Sequence, residues 1–123
     1  IPDPGRFELR LMDGSANPYL LQASILAAGL DGLKNKIDPG KPLNCNMYED
    51  HEKYPDLPKL PDELDQSLEK LKNNKDMNEA FGKETINSYI KLRNSELKEF
   101  KQKENFDKTK AITRWERDNT LDC

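Results

Sequence analysis

The sequence predicts an α+β fragment, mostly α-helical, in which one N-terminal strand is followed by four or five helices and a long loop. Three observations carry this prediction. Polar and apolar residues alternate from Arg6 to Met12, the period of a strand. Leu, Ile and Ala recur at helical spacing from Pro18 to Leu33, and again in narrower stripes after residue 61. Pro42, Pro55, Pro58 and Pro61 break residues 41–61 into a long surface loop.

Each element has a local reason. Pro2 and Pro4 keep the entry extended. In the strand, Phe7, Leu9 and Leu11 share one face, and Arg6, Glu8 and Arg10 share the other. Asp13-Gly14-Ser15 ends it as a turn. Asn17 is placed to cap a helix that has Pro18 in its first turn. Leu20, Leu21, Ile25, Leu26, Leu30 and Leu33 cover more than one of its faces, which predicts burial on most sides. Asp38-Pro39-Gly40 closes that segment. After the loop, Pro61-Asp62-Glu63 opens a helix with its acidic residues at the positive end, and Leu64, Leu68 and Leu71 form its apolar stripe. One helical turn over residues 76–81 precedes Gly82. A long helix over residues 84–103 turns Ile86, Tyr89, Ile90, Leu97 and Phe100 inward, and Thr113 caps a last short helix containing Trp115.

Composition points to a piece of something larger. Charged residues make up 35% of the 123 and hydrophobic ones 34%, a low apolar share for a self-sufficient domain. The apolar residues crowd into residues 7–33, while residues 49–110 are dominated by Lys, Glu, Asp and Asn. The expected organisation is a strand and buried helix over residues 1–40, a loop over 41–61 and a helical periphery over 62–123. The chain opens on Ile1 rather than Met, which reads as a fragment. A lone strand has unpaired edges, so in isolation it is expected to pair between molecules or stay irregular.

Several function classes are disfavoured. A net charge of −3 argues against nucleic acid. Lys98, Lys101, Lys103, Lys108 and Lys110 are interleaved with Glu96, Glu99, Glu104 and Asp107, as on a solvated helix surface. Cys45 and Cys123 fit no metal or redox spacing and read as reduced thiols of a cytoplasmic protein. The apolar run from Tyr19 to Leu30 is broken by Gln22 and Ser24 and is too short to span a bilayer, so no membrane partner is expected.

Chemistry concentrates at the N-terminus. Arg6, Glu8 and Arg10 stand at every second residue, roughly 6–7 Å apart along a strand. Such a row is either an exposed ion-pair ladder or the lining of a pocket for a polyanion and a divalent metal. A carboxylate is a hard oxygen ligand for Mg²⁺ or Mn²⁺. Guanidinium forks bind phosphate or carboxylate in pairs of hydrogen bonds. Phosphoryl transfer uses both.

Arg6-Phe7-Glu8-Leu9-Arg10 followed by Asp13-Gly14-Ser15-Ala16-Asn17-Pro18-Tyr19-Leu20 resembles the late catalytic-domain motif of glutamine synthetases. The resemblance continues through Ala27-Ala28-Gly29-Leu30-Asp31-Gly32, Lys34-Asn35-Lys36 and Asp38-Pro39-Gly40, and covers residues 6–40 closely. It loosens afterwards, although residues 57–71 resemble a later helix of the family. The ending Trp115-Glu116-Arg117-Asp118-Asn119-Thr120-Leu121-Asp122-Cys123 resembles the bacterial branch often labelled type III.

The resemblance implies the C-terminal segment of a catalytic domain, its strand belonging to that domain's sheet. It implies an ATP-dependent ligation of glutamate and ammonia through γ-glutamyl phosphate, with Mg²⁺ or Mn²⁺, in a cytoplasmic homo-oligomer of stacked rings. Arg6 resembles the arginine on the ATP phosphates, Glu8 a metal-ligating glutamate, and Arg10 the catalytic arginine that holds substrate and transferring phosphate. The remaining metal ligands are expected outside this chain, which is therefore expected to be inactive alone. Asn46-Met47-Tyr48 resembles the family's N-L-Y, where some bacterial enzymes carry an adenylylated tyrosine; Glu49-Asp50-His51 departs from that regulated pattern. His51 matches no ligand of the family, and Cys45, Tyr54 and Trp115 read as packing or surface residues. Two alternatives stand beside this: a γ-glutamyl-amide ligase using methylamine or another amine, and a non-catalytic helical interaction module.

Overall fold

The computed structural model describes residues 4–5, 7–103 and 112–120. Among them are helices α1 (Pro18–Lys34), α2 (Met47–Asp50), α3 (Leu64–Asn73), α4 (Lys75–Phe81), α5 (Lys83–Lys103) and α6 (Arg114–Thr120), with a single 3₁₀ turn at His51–Lys53 after α2. The helices expected from apolar spacing are therefore present, within a residue or two of the expected ends.

Local hydrogen bonds explain where they start and stop. The Asn17 side chain accepts from the backbone N–H groups of Tyr19 and Leu20 at 3.1 Å each, and Pro18 opens α1. At the other end, Lys36 takes a positive φ of 51°. The N–H of Ile37 then reaches Gly32 O at 2.9 Å, and the N–H of Lys36 reaches Leu33 O at 3.3 Å. This is the paired closure of a Schellman end, with lysine where glycine is common. Asn74 both follows α3 and caps α4, accepting from the Met77 N–H at 2.9 Å. At α6, Thr113 Oγ1 accepts from the Glu116 N–H at 3.1 Å while Glu116 Oε2 accepts from the Thr113 N–H at 2.7 Å, a reciprocal capping box.

Packing centres on α5. Helices α3 and α4 both lie against it, and α1 lies against α4. Among the described residues Leu68 of α3 and Ile86 of α5 are the buried apolar side chains, each 5% exposed. Lys101 Nζ meets Asp65 Oδ2 at 3.1 Å and ties the far end of α5 to the start of α3. Phe100 and Trp115 meet edge to face, centroids 5.4 Å apart, which docks α6 on α5.

Three parts of the expected organisation look different in this chain. Residues 7–11 carry no regular secondary structure, so the predicted strand is not seen among the described residues. A strand is defined by a hydrogen-bonded neighbour, and among the described residues none supplies one. Of the two outcomes expected for an unpartnered strand, the irregular one is seen. Helix α1, expected to be buried on most sides, is largely open in this chain: Leu26 and Leu30 are each 66% exposed and Leu33 is 78% exposed, with α4 packed on one flank. The loop over residues 41–61 is not featureless either. Asn46 caps α2 by accepting from the Tyr48 N–H at 3.2 Å, and Glu49 and Asp50 suit its positive end.

Gly82 joins α4 to α5 at a φ of 80°, where a side chain is strained. A Cβ there would meet no atom within 4 Å, so the requirement is conformational, not steric. Gly82→Ala is expected to cost about 1–3 kcal/mol in urea unfolding followed by far-UV circular dichroism; an unchanged midpoint would remove this role from the glycine. Asp65 is held below its usual carboxylate range, first by the hydrogen bond from Lys101 and then by the Gln66 N–H. Its contribution to stability is therefore complete above about pH 4, the unfolded value. It is lost as the pH falls through the lower folded value. Lys101→Met should flatten the pH dependence of stability in that acid window, measured by urea unfolding across an acid series.

Candidate functional site

Glu8 and Arg10 lie two residues apart on the segment that precedes α1. Arg10 Nε donates to Glu8 Oε1, so the two side chains share one side of the chain, as alternation predicts. Both are solvent-facing, with Arg10 74% and Glu8 51% exposed. Arg6, the third member of the predicted row, lies outside the described residues.

The guanidinium of Arg10 is held in its charged form more firmly than usual. The hydrogen bond to Glu8 is the main cause and the Glu8 charge the next. Tyr48 adds in the same direction as a lesser cause. The Tyr48 ring thus lies within electrostatic reach of Arg10, 38 positions away in sequence. Spacing alone did not reveal this. The available signal was Asn46, a capping residue directly before Met47-Tyr48 that announces α2 and fixes where Tyr48 projects.

The link from this segment to the helical body is also local. The Ser15 N–H and Oγ both donate to Asp13 Oδ1 at 2.7 Å. These bonds hold the Asp13 carboxyl below its ordinary range. Asn17 caps α1 two residues later. The row and the first helix are therefore joined by a short hydrogen-bonded turn.

The remaining candidates fall elsewhere. His51 is exposed in the 3₁₀ turn. Cys45 Sγ lies 3.5 Å from Met47 Sδ, and its contact with Tyr54 raises that phenol above its usual value, so Cys45 and Tyr54 pack the loop upon itself. Cys123 lies outside the described residues, as do Lys108 and Lys110 of the basic run. No described helix is long and apolar enough to cross a membrane.

The donor set fits a divalent cation in part. Glu8 offers a hard carboxylate, and Arg10 offers a fork for an anion beside it. Among the described residues no three His, Cys, Asp or Glu side chains gather as a metal cluster. Among the described residues Glu8 thus offers a single hard carboxylate and not a complete cation site.

Residues 2–119 match the family model of the glutamine synthetase catalytic domain. The chain belongs to the glutamine synthetase catalytic-domain family. The glutamine synthetase of Rhizobium meliloti (strain 1021) is 43% identical over 122 residues, which is 99% of this chain and 26% of that protein. The glutamine synthetase of Rhizobium leguminosarum bv. phaseoli is 41% identical over the same span. That of Escherichia coli K12 is 39% identical over 99 residues, 77% of this chain and 21% of that protein. A solved structure described as a GmaS/ADP complex superposes with a TM-score of 0.76 at 38% identity, covering 99% of this chain and 26% of its own. The chain thus spans about a quarter of the length of the two Rhizobium glutamine synthetases.

One carboxylate neutralised by an arginine is a poor trap for a dication. The isolated chain is expected to bind Mn²⁺ no more tightly than about 1 mM by titration calorimetry. A saturable micromolar site would show that these residues hold a complete centre.

Proposed function

We propose that residues 1–123 are the C-terminal segment of the catalytic domain of a glutamine synthetase, an ATP-dependent glutamate–ammonia ligase, and that the segment is inactive alone. One observation carries the reading: the paired Glu8 and Arg10 stand in a motif inside a family match that spans nearly the whole chain. In this proposal residues 1–40 supply a strand and a covered helix, residues 41–61 a loop over the site, and residues 62–123 the helical periphery. The strand over residues 6–12 forms when it joins the sheet of the remaining domain. The exposed stripe of α1 is covered there too.

The residue roles follow from charge and reach. Arg6 contacts the ATP phosphates. Glu8 is a ligand to Mg²⁺ or Mn²⁺, and the bound cation would supply neutralisation of charge on the phosphate oxygens. Arg10 is the catalytic arginine, holding the glutamate substrate and the group in transfer, where its fork stabilises charge spreading over the phosphoryl oxygens. The γ-carboxylate oxygen of glutamate bonds to the γ-phosphorus of ATP and ADP leaves. Ammonia then bonds to the acyl carbon of γ-glutamyl phosphate, inorganic phosphate leaves and the amine loses a proton. ADP, the leaving product of the first step, is the ligand named for the solved relative.

Tyr48 is the proposed modification position. It is 85% exposed and within electrostatic reach of Arg10, so an adenylyl phosphodiester there would set a negative charge near the substrate-holding cation. The whole enzyme is proposed to belong to the type III branch, to work in the cytoplasm and to assemble in stacked rings.

In the full-length enzyme, Glu8→Ala should lower metal-supported glutamine synthesis by more than the about 10–100-fold that losing a supporting residue costs, with oligomer and fold retained. Normal turnover together with normal metal affinity would refute the role of Glu8. The acceptor is tested separately with ammonium, methylamine and larger amines on the same protein. Ammonium is expected to give the highest kcat/KM, in keeping with relatives named glutamine synthetase. A preference for methylamine would move the chain to a γ-glutamyl-amide ligase with the phosphoryl step unchanged.

A further inference from the structure

We draw no further inference here: the strongest candidate, the exposed apolar stripe of α1 formed by Tyr19, Leu26, Leu30 and Leu33, carries nothing because nothing in the structure shows what covers it.

Discussion

Contact between α3 and α5 organises the helical body, and Leu68 and Ile86 are where it becomes a core. Burying each contributes roughly 1.5–3 kcal/mol. Ordering a backbone residue costs about 1–2 kcal/mol before any return. Among the described residues two buried side chains therefore cannot carry six helices, and the rest must come from half-buried neighbours and local bonds. Leu71, Tyr89, Ile90, Leu97, Phe100 and Trp115 are all only partly covered. The Arg93 guanidinium lies over the Tyr89 ring at 5.3 Å and meets Glu96 at 2.6 Å, adding increments of the surface kind. A body built this way gains from every further surface that closes on it. It has the energetics of a periphery, as expected for a chain spanning about a quarter of its relatives.

The helices were legible because their signals are local. Asn17 and Pro18 announce α1, Thr113 and Glu116 announce α6, and Gly82 separates α4 from α5. Each signal acts within a few residues, so one sequence holds all of it. Strand and burial were legible in pattern but not in outcome. Phe7, Leu9 and Leu11 alternate as a strand should, yet a ladder needs a second backbone, and period alone cannot say whether one is present. The same holds for α1. Its leucines fit a helix covered on several sides, but coverage belongs to the partner, and α4 supplies one flank.

The site divides in the same way. The pairing of Glu8 with Arg10 follows from their being two residues apart. The approach of Tyr48 to Arg10 does not, since it depends on how the loop folds back. Proline spacing marked residues 41–61 as a loop and hid the capped turn inside it. Asn46 was the residue that mattered, and it looks ordinary unless read as a helix cap.

The exposed pairing of Glu8 and Arg10 bears on how such a site can work. An ion pair open to water is worth about 0–1 kcal/mol, because solvent competes and two side chains must be held still. Exchanging it is therefore inexpensive. In the proposed roles both groups take new partners, Glu8 a dication and Arg10 an anionic substrate, and a deeply buried pair would resist that exchange by several kcal/mol. Until partners arrive, each satisfies the other, and neither charge stands alone on the surface. On that proposal the pairing is a resting arrangement of groups that the reaction would draw apart. The alternation of the segment keeps them on one side in either condition. A rigid sheet around the strand would convert that shared side into fixed aim, which an irregular segment cannot supply.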